Sequence, residues 1–287
     1  MQKSNKKRKL VWILGVIMIL VIAIVTFFQI PYSPTRSEFR GDVQRHMNQS
    51  AIRGGVFTEQ DIADLPEPIQ NHLRSSGVIG QPIMSGFTMF VPSARLYESR
   101  DRPLTLDYTL YVFAYSPVRL AYMNTSMFGI PFEAYDRVQH GEGVMRGVIG
   151  KVIPLFNETG SEMDQGQLLT YLGEFALMPS FIFSDYVTWE PIDAYNARAT
   201  ITYGEISGSG IFTLGDDGFI RYFRTSERAQ IHTDGNINFV DWSVVYEDWI
   251  RSENGMYMLS NFRVIWHEPE GDLVYFEPVN GFSVEFH

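Results

Sequence analysis

The chain has 287 residues, a formal net charge of −10 and no cysteine, with 45% hydrophobic and 14% aromatic residues. The missing cysteines exclude disulfides, thiolate catalysis, cysteine-ligated zinc, iron–sulfur clusters and a lipid-modified cysteine. The acidic balance argues against nucleic acid as a partner, because a negative surface repels a phosphate backbone.

Lys3, Lys6, Lys7, Arg8 and Lys9 form a basic head (residues 1–9). It precedes the uncharged run Leu10–Ile30, LVWILGVIMILVIAIVTFFQI. About 20 apolar residues in helix span a bilayer, and a basic flank stays cytoplasmic. The expectation is a single-pass transmembrane anchor with residues 31–287 outside the cell membrane. A cleaved signal has a shorter apolar core, about 7–15 residues, and a small-x-small site. Here Phe27-Phe28-Gln29-Ile30-Pro31-Tyr32 offers no such site. All 33 acids follow residue 37, whereas 18 of the 23 Lys and Arg lie outside the head, and Lys151 is the only lysine among those 18. An exported domain without disulfides relies on its core, and residues 31–287 are long enough to build one.

A helical neck is expected over residues 31–80. Its first helix is Pro34 to Gln49, ended before Gly54-Gly55. Thr58 can cap a second helical region, with Glu59 and Asp61 in its first turn. Pro68 can open another helix, with Ile69 and Leu73 on its apolar side and Gly77 as its stop. Residues 81–287 then read as short strands: Ser85–Val91, Asp107–Ala114, Val118–Asn124, Phe132–Val138 and Gly143–Ile149. One helix interrupts them, Gln165 to Leu177, with Asp164 as N-cap and Leu168, Tyr171, Leu172 and Phe175 on one face. Strands resume at Val187–Glu190, Ala197–Tyr203, Ser207–Leu214, Phe219–Ser226, Asn238–Trp249, Met256–His267 and Leu273–Phe286. Asp216-Asp217-Gly218, Asn254-Gly255 and Glu270-Gly271 read as hairpin turns. Regular short strands with turn signals predict an antiparallel sheet, so the fold class is mainly β (α+β) and the exported part is one domain. No 20–50-residue period points to a propeller or solenoid.

Several segments together resemble an uncharacterised bacterial family, known only as a domain of unknown function. They are Leu65-Pro66-Glu67-Pro68-Ile69-Gln70, Gly80-Gln81-Pro82, Tyr135-Asp136, Gly141-Glu142-Gly143 and Gly166 to Glu174 running into Pro179. Trp189, Asp217-Gly218, Arg228 and Trp242 complete the match, which covers about residues 60–287. The chain has Thr170 where that family's helix usually carries an arginine before the tyrosine. The resemblance implies no established activity. The strand-rich, one-helix pattern is also similar in architecture to periplasmic lipoprotein carriers. That similarity implies a curved antiparallel sheet or half-barrel wrapping the internal helix and lining an apolar cavity.

No strong catalytic signature is present. There is no G-x-S-x-G elbow, H-E-x-x-H or phosphate-binding glycine loop; Gly208-Ser209-Gly210 lies within a strand. The six histidines are scattered singly, as surface or core histidines are. Asp216-Asp217 and Asp234-Gly235-Asn236 lack the ordered loop of a calcium site and read as turns. Catalytic residues, metal ligands and a cofactor are therefore not expected. Glu174 is the most informative acid, since it sits at the edge of the helix's apolar face. A buried acid needs a partner, and Arg146, Arg198 and Arg228 are candidates. Asp136 can meet Arg137 or Arg146 across a hairpin. The candidate ligand-binding set is Tyr135, Asp136, Tyr171, Glu174, Phe175, Trp189, Arg228 and Trp242. Together these features favour an extracytoplasmic protein that binds a lipid or other apolar ligand. A hydrolase using carboxylates near Glu174 and Asp136, and an envelope scaffold docking a protein partner, remain alternatives.

Overall fold

The structure, a computed structural model, describes residues 2–49, 54–97, 102–127, 129–232 and 235–287, with side chains from Lys7 onward. Helix α1 (Gln2–Gln29) contains the apolar run. It is long and apolar enough to cross a membrane, and none of its most apolar 18-residue window is buried against the rest of the chain. Helix α2 (Pro34–Gln49) has the expected bounds. In the short α3 (Glu59–Ile62), Thr58 and Asp61 form a reciprocal capping box. Pro68 lies in the first turn of α4 (Glu67–Ser75), and Gly77 follows its end at φ +71°.

Six strands follow: β1 (Gly86–Tyr97), β2 (Pro103–Phe113), β3 (Val118–Met127), β4 (Ile130–Gln139), β5 (Glu142–Ile149) and β6 (Ile153–Glu158). Next come α5 (Ser161–Gly173) and two 3-10 turns, Glu174–Ala176 and Pro179–Phe183. The second half holds β7 (Val187–Pro191), β8 (Asn196–Tyr203), β9 (Ile206–Leu214), β10 (Ile220–Thr225), β11 (Ala229–Ile231) and β12 (Ile237–Phe239). It ends with β13 (Asp241–Arg251), β14 (Tyr257–Glu268), β15 (Gly271–Glu277) and β16 (Ser283–Phe286).

Fourteen strands form one antiparallel sheet, ordered β6-β5-β4-β3-β2-β1-β15-β14-β13-β10-β9-β8-β7; β16 adds to β1, and β11–β12 form a separate ribbon. Strand β1 serves two partners on one edge. Its first half pairs with β16 and its second with β15, on either side of a bulge between Val91 and Ala94.

Several boundaries differ from the sequence reading. The internal helix starts at Ser161 with Gly160 as N-cap, so Asp164 is not the cap. Its carboxylate instead accepts from the Gly143 amide at 2.7 Å, joining helix to sheet. From Glu174 the helix tightens into 3-10 geometry rather than continuing to Leu177. The run Asn238–Trp249 splits into β12 and β13, and Leu273–Phe286 into β15 and β16 around Pro278 and Gly281. Strands β6 and β11 were not anticipated. Asp234 lies outside the described residues.

The sheet curls around α5. The helix contacts β4 and β5 near one end of the strand order and β8 and β9 near the other. In a flat sheet β5 and β9 would stand roughly 40 Å apart at ~4.8 Å per strand, far beyond a helix diameter of ~10–12 Å. Glycines permit the close approach on both sides. A Cβ on Gly143 would stand 2.5 Å from the Met163 carbonyl oxygen, and one on Gly208 would stand 2.9 Å from Leu169. The main core fills this concavity, and the neck contributes Phe57, Ile62, Ile69, Leu73 and Val78 to it. The described residues 54–80 are thus packed into the same body.

Helix α2 climbs the outer face of the sheet. Ser33 bonds Glu133, Asp42 bonds Tyr135, and His46 bonds Gln139, in step along β4. Phe39 stacks on Tyr122 at 5.2 Å, in a second apolar cluster beneath α2. The first six residues of β3, Val118 to Met123, are consequently buried on both faces. His72 on α4 lies among Phe175, Phe219 and Trp249, and its Nδ1 accepts from the Ile220 amide. Burial pushes its pKa down to about 3, which makes it a neutral core histidine.

Candidate functional site

Between α5 and the sheet lie two adjoining cavities, of about 400 Å³ and about 90 Å³. They share Leu96, Met123, Asp136, Arg228 and Tyr275 as common walls. The smaller one is largely apolar, with Leu110, Val244, Leu259 and Phe262 among its walls. The larger reaches β6 through Phe156 and Glu158.

Arg119 on β3 organises the polar side of the smaller cavity. Its Nε donates to Glu174 Oε1 at 2.7 Å and its Nη1 to Asp136 Oδ2 at 2.7 Å. Its Nη2 donates to the Tyr108 hydroxyl at 2.5 Å. Gln167 on α5 completes the cluster, donating to Asp136 Oδ1 at 2.5 Å. Register places these groups together. Ala121 on β3 pairs with Asp136 on β4, and Arg119 shares the inward face of β3 with Ala121. Burial opposes the Arg119 charge, but Tyr108, Glu174 and Asp136 outweigh it and hold the guanidinium protonated.

Glu174 is pushed up to about 7. Burial is the main cause, Arg119 opposes it, and the neighbouring Asp136 adds to it. Its Oε2 is buried on the cavity wall and accepts no hydrogen bond from the described residues, and the buried Trp242 Nε1 donates none to them.

Arg228 stands apart from this cluster. Its Nε donates to Thr170 Oγ1 at 3.0 Å, and its guanidinium carbon lies 4.9 Å from the ring centroids of both Trp242 and Trp266. Among the described residues no carboxylate lies within ion-pair distance of it. Burial pulls its pKa below the usual arginine range. Arg228 is therefore a desolvated cation whose charge is met by two indole faces and a hydroxyl.

Of the sequence-derived candidates, Asp136, Glu174, Arg228 and Trp242 converge on the cavities. Tyr135 does not. Neighbouring strand residues face opposite sides, so Tyr135 points outward beneath α2 and donates to Asp42 at 2.8 Å while Asp136 points inward. Tyr171 is core: it stacks on Phe181 at 4.4 Å, and its hydroxyl donates to the Phe113 carbonyl. Phe175 and Trp189 pack on each other at 4.7 Å and on Phe212, away from both cavities. The partner of Glu174 is Arg119 rather than Arg146, Arg198 or Arg228, and Asp136 meets Arg119 rather than Arg137 or Arg146. Arg146 reaches outward to Glu38. Sequence reasoning missed Arg119, Gln167, Tyr108, Trp266 and Tyr275. Arg119 had one signal: it is charged within Val118-Arg119-Leu120-Ala121-Tyr122-Met123, a run apolar on both faces.

Asp217 pairs with Arg221 in its hairpin turn. Among the described residues no three His, Asp or Glu side chains converge as metal ligands. Ser209 is bonded to Glu227 through its amide and hydroxyl.

Fold and site together define a protein with one helix wrapped by a curved antiparallel sheet, enclosing a mostly apolar cavity beside buried charges. The chain belongs to the family of unknown function DUF6544, whose pattern matches residues 55–278. No curated protein matches its sequence. Among solved structures, a LolA superfamily protein from Nitrosomonas europaea aligns over 80% of this chain and 92% of its own, at 9% identity and a TM-score of 0.39. A putative outer membrane lipoprotein-sorting protein domain from Vibrio parahaemolyticus aligns over 71% of this chain and 84% of its own, at 9% identity and a TM-score of 0.35.

Proposed function

We propose that this is a single-pass membrane protein, anchored by Leu10–Ile30 with its N-terminus cytoplasmic. Its extracytoplasmic domain binds an amphiphile such as a fatty acid or other acyl lipid. The apolar chain occupies the cavity between α5 and the sheet, and the acidic head meets Arg228. The observation that carries this reading is Arg228 itself, an arginine on the wall of both cavities with no carboxylate partner among the described residues. A desolvated guanidinium gains most from a planar anion, which it can bind with two parallel hydrogen bonds. The larger cavity, about 400 Å³, falls in the size range of small-ligand sites, roughly 300–1,000 Å³. Asp136 and Glu174 each commit an oxygen to Arg119, an arrangement that favours holding a ligand over acid–base hydrolysis.

The test uses full-length protein in lipid nanodiscs, with Trp12→Phe removing the indole of α1. A brominated fatty acid should quench Trp242 and Trp266 emission. Its methyl ester should bind more weakly. Arg228→Gln should weaken binding of the acid about 10- to 100-fold, the worth of a hydrogen bond to a charged group. Absence of quenching, or equal affinity for acid and ester in the native protein, defeats the proposal.

A further inference from the structure

The β5–β6 turn holds the end of α1. Lys151, the only lysine outside the basic head, sits in this turn at φ +70°, a conformation that side-chain-bearing residues rarely adopt. Its buried ammonium donates to the Phe27 carbonyl at 3.0 Å and the Ile30 carbonyl at 2.5 Å. Carbonyls at a helix C-terminus lack intrahelical partners, and a cation there is favoured. The Gly150 amide donates to the Pro131 carbonyl, which joins the start of β4 to the same place. A Cβ on Gly150 would stand 3.7 Å from both Ile130 and Phe28. The β5–β6 turn and the start of β4 are thus pinned where the apolar run of α1 ends.

Around that point the surface is apolar. Val152 is 61% exposed, Ile153 58%, Leu155 52% and Ile130 38%, with Ile30 and Tyr32 of the chain leaving α1 exposed beside them. Strand β6 is also an edge of the sheet. An exposed apolar edge invites aggregation unless something covers it, and a contiguous apolar patch marks an interaction surface.

We propose that the β5–β6 turn and the start of β4 rest in the outer leaflet beside α1, and that the ligand enters the cavity from the bilayer along β6. This rests on the reading of α1 as a membrane anchor. The occupant of the patch is lipid because the patch is continuous with the end of that anchor. The Lys151 charge is already spent on α1, so docking is apolar and insensitive to salt. Along β6, Phe156 and Glu158 line the larger cavity. Phe156 follows Ile153 by about 10 Å at ~3.3 Å per residue, so the cavity wall begins just above the docked tip. Phe132 closes the same side. It borders both the larger cavity and a polar recess formed by Arg36, Glu133 and Lys151 under the anchor.

The chain has no cysteine, so single replacements report cleanly. Full-length protein carrying Ile153→Cys, Leu155→Cys, Leu20→Cys or Glu205→Cys is labelled with an environment-sensitive dye. It is reconstituted in phosphatidylcholine vesicles with nitroxide-labelled lipids. Glu205 is exposed in the β8–β9 turn. Its neighbour Tyr203 lies against the β4–β5 turn, at the far end of β5 from Lys151. Labels at 153 and 155 should be quenched at the depth of interfacial apolar faces, about 5–10 Å into the headgroup–acyl boundary. The label at 205 should stay in water. Water-like labels at 153 and 155 beside a deep label at 20 overturn the docking proposal alone. A water-like label at 20 overturns the anchor reading with it. For entry, Ile153→Asp/Leu155→Asp should slow loading of a brominated fatty acid from vesicles by roughly tenfold or more. Loading from detergent micelles should be unchanged. Equal rates from vesicles in variant and native protein overturn lateral entry.

Discussion

Glu174→Gln tests the buried charge cluster through pH. Glu174 titrates near 7 in the folded protein against an ordinary value of 4.5, chiefly because burial disfavours its charge. Below pH 4.5 it is protonated in both folded and unfolded chains and contributes nothing. Between 4.5 and 7 the unfolded chain loses the proton while the folded one keeps it, so stability falls as pH rises. At about 1.36 kcal/mol per pH unit the accumulated cost is about 3 kcal/mol, constant above pH 7. Glutamine cannot ionise, and its carbonyl oxygen can still accept from Arg119 Nε. Arg119 also keeps Asp136 at 2.7 Å. The variant should therefore match the native protein near pH 4 and exceed it by up to about 3 kcal/mol at pH 8. The assay is urea unfolding of both full-length proteins in mild detergent at several pH values, followed by tryptophan emission. A stability difference that does not change between pH 4 and 8 would refute the argument. A variant less stable at pH 8 by about 3–5 kcal/mol would show that Arg119 requires the ionised carboxylate.

Arg119→Leu should be far worse, at about 3–5 kcal/mol, because it strands Asp136 and Glu174 without their counter-charge. Adding Glu174→Gln should recover part of that loss in the same unfolding assay. Phe175→Ala removes a buried ring packed on Trp189 and Phe212 and should cost about 3–5 kcal/mol, whereas a loss below about 1 kcal/mol would contradict its burial. An alkaline phosphatase reporter fused after His287 should be active, and Leu20→Arg should reduce membrane insertion by about 2.5–3.5 kcal/mol on insertion scales. Cytoplasmic reporter activity would reverse the topology.

Local chemistry alone determined much of the architecture. The uncharged run after a basic head gave an apolar helix of spanning length. Thr58, Pro68 and Gly77 each sit where capping rules put them, because caps involve groups within a few residues. Gly218 and Gly255 adopt positive φ between paired strands, and Gly271 does so as the first residue of β15, as their turn dipeptides required. The family of the chain was likewise legible from Gly166–Glu174, Trp189, Arg228 and Trp242 taken in order. Boundaries failed where a distant partner intervened. Asp164 has the side chain of an N-cap, yet its carboxylate goes to Gly143 across the helix–sheet contact. Strand β6 is exposed and apolar, so no alternation marked it. Only the tertiary structure decided the site. Arg119 lies 17, 48 and 55 residues from Asp136, Gln167 and Glu174, and strand register with sheet curvature brings them together. The same alternation that was read as strand put Tyr135 and Asp136 on opposite faces, one beneath α2 and one in the cavity. A strand's period is local and can be read from sequence, but which face is inside depends on what the rest of the chain packs against it.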